Sequence, residues 1–210
     1  MAQTLTSTSY AILGLLAVRS WTTYELAQQM DRALGRFWPR AESKLYEEPK
    51  KLVAHGLAEA TVEMVGRRSR TVYTITPEGR RALAEWVPTA GAGPVVEFEQ
   101  LIKVFFAEHG TKADLLTTLA GVREWSDERL ASSAHVPQSY LDDEGPFPER
   151  LPWLLLVGQF LLEYYVMVER WADWATEVVE TWPDDVTGAP VDRAILEAQA
   201  ARVGADTPRA

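Results

Sequence analysis

The chain has no cysteine among its 210 residues. That excludes disulfides, thiolate metal sites and a cysteine nucleophile, and it fits a reducing cytoplasm. Histidine is almost as scarce: His55, His109 and His135 lie in different segments, no two closer than 26 positions. A histidine metal cluster or a histidine general base therefore has little support. The chain also lacks a GxSxG elbow, a P-loop and a GxGxxG turn. Gly91-Ala92-Gly93 runs into a proline rather than a helix, and the acid pairs Asp142-Asp143 and Asp184-Asp185 sit beside proline and glycine as solvated turns. These absences point away from an enzyme and from any cofactor or metal. Long apolar runs are missing too. The longest, Leu151 to Leu162, has 12 residues and includes Gln159, whereas a membrane span needs roughly 20. The N-terminal segment has no positive charge before its short apolar run and makes a poor signal peptide. A cytoplasmic protein without a membrane partner is expected.

Positive charge is scarce overall, with a formal net charge of -9, which at first argues against a nucleic-acid partner. The charge is unevenly distributed. Residues 1–90 hold 12 Lys/Arg and 9 Asp/Glu, a net +3, and residues 91–210 hold 9 and 21, a net -12. Residues 36–81 alone reach +4, from 10 basic and 6 acidic side chains. The first part suits phosphates, and the second would be repelled by them.

Hydrophobic periodicity divides the first part into elements. Residues 9–18 predict a helix capped by Ser9. A second helix starts at Thr22 or Thr23 and runs to Leu34, with Thr22 and Glu25 at capping-box spacing and Tyr24, Ala27, Met30 and Leu34 on one face. After Phe37-Trp38-Pro39 a third helix spans 41–54, with Leu45, Leu52 and Val53 inward; Pro49 predicts a kink rather than an end. Two β-rich runs, 57–65 and 71–76, predict a hairpin joined by Gly66-Arg67-Arg68-Ser69-Arg70. Thr76-Pro77-Glu78 opens a fourth helix that ends near Val87. Residues 89–94 read as a linker. Beyond it everything reads helical: 95–108, 111–134, a connector at 136–150, a long helix from Pro152 to Thr181, and 191–203.

Three helices followed by a two-stranded hairpin is the order of a winged helix-turn-helix, in which the second helix of the turn pair enters the major groove. The predicted fold is mainly α: a winged helix-turn-helix DNA-binding domain in 1–88, a linker in 89–94 and an all-helical dimerisation domain in 95–210. Candidate DNA contacts are Tyr24 on the second helix, Arg40, Ser43, Lys44, Tyr46, Lys50 and Lys51 at the third, and Arg67, Arg68 and Arg70 in the hairpin. Arginine suits these positions because its planar fork fits phosphate and the narrow groove.

The first 88 residues resemble the PadR family of regulators. The resemblance is carried by Ala11-Ile12-Leu13-Gly14-Leu15-Leu16, Tyr24-Glu25-Leu26, Phe37-Trp38-Pro39, Ser43-Lys44-Leu45-Tyr46, Leu52 to Leu57, and Gly66 to Gly79. The family pattern commonly places proline directly after the tyrosine of the third helix; here Glu47-Glu48 intervene before Pro49. The resemblance implies a cytoplasmic homodimer that binds an inverted-repeat operator, represses transcription and, in some members, releases DNA on binding a small molecule. The long C-terminal part resembles the longer subgroup, with a helical dimerisation domain.

The long helix is apolar on more than one face, so a second copy of the chain is its natural cover. Trp153, Trp171 and Trp174 are candidates for stacking on a flat aromatic effector, with interface packing as the alternative. Two other functional readings stand beside the repressor. One is a winged-helix module that binds protein instead of DNA; the other is an activator of the same fold. Three arginines in the hairpin favour DNA.

Overall fold

A computed structural model describes residues 5–39, 42–66 and 68–206, without the side chains of residues 42–44, 65 and 204–206. The chain forms two compact units, Met1–Pro94 and Val95–Ala210. In the first, helix α1 (Ser7–Val18) begins two residues before the predicted start. Thr6 is its cap: the Ser9 N–H donates to the Thr6 hydroxyl, and the Thr6 N–H donates to the Ser9 hydroxyl. Ser9 closes this reciprocal box from the third helical position rather than being the cap itself. Ile12, Leu13 and Leu16 are buried along the helix.

Strand β1 (Trp21–Thr22) was not expected from the sequence, because two residues are too few to show a period. It exists by pairing antiparallel with Val72 and Tyr73. The buried Trp21 indole donates to the Leu15 carbonyl at 2.8 Å, and the Arg19 guanidinium lies 3.8 Å from the ring centroid. Helix α2 (Thr23–Leu34) opens with the predicted Thr22–Glu25 capping box. The Thr22 N–H and hydroxyl both donate to Glu25 and hold its carboxyl below the usual range. The buried face of α2 is set by Leu26 and Met30. Tyr24 is therefore not inward as the face assignment expected; it is 64% exposed.

Helix α3 (Glu42–Ala54) continues through Pro49, whose ring is fully buried. Leu45 and Leu52 point into the core, and Val53 is half-buried. The helix stops at Gly56, which adopts φ 70°. The Gly56 N–H then donates to the Val53 carbonyl and the Leu57 N–H to the Leu52 carbonyl, a closure that the left-handed glycine makes cheap. Strands β2 (Ala58–Val65) and β3 (Arg68–Ile75) pair antiparallel, in the sheet order β1-β3-β2. Helix α4 (Pro77–Trp86) is capped by Thr76, whose hydroxyl accepts the Gly79 N–H and donates to the Gly56 carbonyl. A side chain at Gly79 would collide with the Leu57 carbonyl, so this crossing of α4 and β2 requires glycine. The rings of Tyr10 and Trp86 stack 4.8 Å apart and fasten α4 to α1.

The second unit is built on two 30-residue helices, α6 (Lys112–Leu141) and α7 (Leu151–Glu180), preceded by α5 (Glu99–Phe105) and followed by α8 (Arg193–Asp206). The predicted break near residue 135 is absent. Pro137 lacks a donor, but its fixed φ is helical, and the helix reaches Leu141, leaving a shorter connector. Leu115, Leu119 and Val122 of α6 pack on Val168, Ala172, Ala175 and Val179 of α7. Polar contacts fix the register of this seam. The Ser126 hydroxyl donates to the Tyr165 carbonyl at 2.7 Å. Arg123 reaches Asp127, Glu169 and Asp173, and Lys112 Nζ donates to the carbonyls of Glu180 and Trp182 at the end of α7.

Candidate nucleic-acid interface

The helix pair α2–α3 and the β2–β3 hairpin carry the side chains that the sequence singled out. Lys50 and Glu47 project from α3 to solvent, while Tyr46 is half-buried. Ser43 and Lys44 lie in the first turn of α3, but their side chains fall outside the described residues, as do Arg40 and Arg67 altogether. On α2 the exposed Tyr24 hydroxyl accepts a hydrogen bond from Gln28 Nε2 at 2.9 Å.

Lys51 is not a free surface cation. Its Nζ lies 2.7 Å from Glu48 Oε1, and that contact raises the lysine above its ordinary pKa. Glu48 itself is buried, and its other oxygen accepts the Ser9 hydroxyl at 2.6 Å. One carboxylate thus joins α1 to α3 and steadies the helix around Pro49. Sequence reasoning missed this role. An acid between two lysines reads as surface charge, and its partner Ser9 lies 39 residues away.

The hairpin is tighter than expected. Val65 pairs directly with Arg68, so only two positions separate the paired strands. Gly66 supplies the left-handed φ of 62° that a two-residue hairpin turn favours. Arg68 and Arg70 are therefore strand residues. Strand alternation puts them on one face, together with Glu63 opposite Arg70. Arg70 Nε and Nη2 both donate to Glu63 Oε2, at 3.0 and 2.8 Å. Arg68 makes no ion pair among the described residues.

The three tryptophans proposed for an effector are not gathered by one chain. Trp153 and Trp171 are 18 positions apart on α7, which at 1.5 Å per residue is about 27 Å. Trp171 packs into the α6–α7 seam with its ring edge-on to Phe98, whereas Trp153 and Trp174 are exposed. Among the described residues no group of three or more His, Asp or Glu side chains is placed to hold a metal.

Two family models match the chain, each within one unit. Residues 12–85 match the transcriptional regulator PadR-like family, and residues 99–180 match the virulence activator alpha C-terminal model. The negative transcriptional regulator PadR of Bacillus subtilis is 31% identical over 99 residues, which cover 46% of this chain and 54% of that protein. The chain thus spans about half the length of that relative. The "Probable transcriptional regulator Rv1176c" of Mycobacterium tuberculosis is 27% identical over 183 residues, covering 81% of this chain and 95% of that protein. Among solved structures, B. subtilis PadR in complex with operator DNA aligns with a TM-score of 0.73 at 22% identity, over 83% of this chain and 99% of that one. The same protein in complex with p-coumaric acid gives 0.64 at 23%, over 83% and 99%. The Vibrio cholerae virulence activator AphA gives 0.59 at 26% identity, over 80% and 95%. The winged unit is thus that of the PadR-like family, whose members are transcriptional regulators and not enzymes, and the helical unit is matched by the virulence activator model.

Proposed function

We propose that the protein is a cytoplasmic homodimeric repressor that binds an inverted-repeat operator through α3 and the β2–β3 hairpin and is released by a small aromatic effector. The observation that carries the DNA-binding reading is the hairpin. It stands beside a helix-turn-helix and presents Arg68 and Arg70 on one face. The DNA-bound structure of the B. subtilis relative supports the same reading. On this reading Tyr24, Ser43, Lys44 and Lys50 meet backbone or bases from α2 and α3, and Arg40 joins them just ahead of α3. Lys51 and Tyr46 hold the helix at a fixed depth.

Replacing Arg67 and Arg68 together by alanine is expected to weaken binding to operator fragments selected from a random pool. The plot of log affinity against log salt should flatten by about 0.9 for each phosphate that is no longer neutralised. An unchanged slope would remove the hairpin from the interface.

The dimer is supported by the outer face of α7. Trp153, Leu155, Leu156 and Phe160 stand 59% to 73% exposed there, a contiguous apolar surface of the kind that marks an interface. By length and composition alone this helix is also long and apolar enough to cross a membrane. Counting only the uninterrupted apolar run hid this, because a single charge, Glu163, falls within Leu151–Val168. Its neighbour favours protein over lipid. Helix α6 lies along it carrying Arg123, Glu124, Asp127, Glu128 and Arg129, and those charges would have to enter the bilayer with it.

The effector reading rests on the p-coumaric acid complex of the relative and on the exposed Trp153 and Trp174. Titrating the protein with planar aromatic acids is expected to quench tryptophan emission and to release bound DNA over the same concentration range. A panel that does neither would leave these tryptophans as packing.

A further inference from the structure

The two faces of the hairpin differ in charge. One face continues the buried Ala58–Ile75 pair outward through Ala60–Tyr73, Val62–Thr71 and Met64–Ser69, and it carries no charge. The other face holds Glu59–Thr74, Thr61–Val72, Glu63–Arg70 and Val65–Arg68. Both strand arginines therefore share a face with the carboxylate of Glu63, while Glu25 on α2 feels the Arg70 charge more weakly. Glu63 lies directly opposite Arg70 and diagonal to Arg68, and diagonal neighbours in a sheet are within reach of long side chains. Arg70 places two N–H groups on one oxygen of Glu63, and both side chains are about half exposed.

An exposed pair of this kind contributes little to folding, yet it has an electrostatic consequence for a polyanion. Arg70 must give up Glu63 before it can bind a phosphate, and Glu63 then faces that phosphate as a like charge. We propose that Glu63 is a brake on phosphate binding by the hairpin, lowering affinity for DNA of any sequence by holding Arg70 and opposing the backbone. Non-specific affinity comes almost wholly from phosphate neutralisation, so a brake placed here lowers background binding while leaving the base-reading residues of α3 untouched. This inference rests on the DNA-binding reading above.

The test uses the full-length protein and a fluorescein-labelled duplex of scrambled sequence, followed by anisotropy across a salt series. Glu63→Gln keeps the side-chain volume and removes the charge. It is expected to bind about threefold to tenfold more tightly at low salt, with a salt slope steeper by about 0.9 for each arginine released. Glu59→Gln, on the same face but opposite Thr74, lies about 13 Å farther along the strand and should give a clearly smaller gain. In an Arg70→Gln background the gain from Glu63→Gln should shrink. Equal gains at Glu59 and Glu63 would reduce the effect to net charge and overturn the proposal, as would no gain at Glu63 in a protein that still binds. Failure of every form, wild type included, to bind any duplex would overturn the DNA-binding reading and this inference with it. Circular dichroism melting of Glu63→Gln should match the wild type, so that a change in affinity reports the interface.

Discussion

Trp21→Ala is expected to destabilise the first unit by about 3–5 kcal/mol, the usual cost of removing a buried aromatic side chain. Three losses coincide at this position. The indole is almost wholly buried, so its removal leaves a cavity between α1 and the sheet. Its N–H donates to the Leu15 carbonyl near the end of α1 at 2.8 Å, a closer partner than the capping Arg19 N–H at 3.4 Å. Its buried ring also seats the two-residue β1 strand that pairs with Tyr73, and so steadies the start of α2. A loss of this size is a large fraction of what a small domain possesses. Guanidinium denaturation followed by far-ultraviolet circular dichroism should show an early transition carrying the sheet signal, with the helical transition of the second unit unmoved. A shift worth less than about 1 kcal/mol would mean that β1 is ornamental and that α1 holds its place without it.

Phe160→Asp addresses the other half of the molecule and carries the largest functional effect. In the isolated chain Phe160 is 59% exposed, so an aspartate there meets solvent and should leave the folded protomer intact. In a dimer built on the outer face of α7 the same carboxylate would be buried without a partner, which is costly. Light scattering is therefore expected to report a protomer mass in place of twice that value, with the melting curve of the α6–α7 seam unchanged. Operator affinity should fall by about 10²–10⁴, because a two-headed protein engages its second half-site intramolecularly and a protomer does not. A variant that remains dimeric would move the interface off this face. One that becomes monomeric yet binds a palindrome with full affinity would separate dimerisation from recognition.

Much of the first unit could be read from local chemistry. Thr22 with Glu25, and Thr76 with Pro77, mark helix starts because the capping groups lie within three residues of one another. Gly56 marks a helix end for an equally local reason. What could not be read depends on partners distant in sequence. Strand β1 has no period of its own and exists through residues some 50 positions away. The exposed placement of Tyr24 follows from Leu26 and Met30 winning the inner face of α2, and helical spacing of apolar residues does not decide that contest. The hairpin lies where its β-rich runs predict it, but its turn is shorter, because Arg68 and Arg70 resemble loop residues by type although they pair as strand. The pairing of Arg70 with Glu63 follows once the turn is known to be two residues. The burial of Glu48 follows from nothing local. Pro137 misleads in the opposite direction: proline near the end of a long helix costs one donor, and the packing of α6 on α7 more than offsets it.

The Ser9–Glu48–Lys51 chain has a consequence for anyone who would retarget the protein by grafting the third helix of a relative onto it. The helix is not a free cassette. Its buried carboxylate is met by a hydroxyl on α1, 39 residues earlier, and a transplanted segment lacking an acid at that position would leave the Ser9 hydroxyl with only its Thr6 partners at the start of α1. A hydrogen bond to a charged group lost in this way is worth about 1.5–3 kcal/mol, while replacing both partners by apolar groups of matching shape is nearly neutral. The unit of exchange, in the laboratory or over evolutionary drift, is therefore α3 together with position 9. Chimaeras that carry the helix without its serine should be the ones that fail.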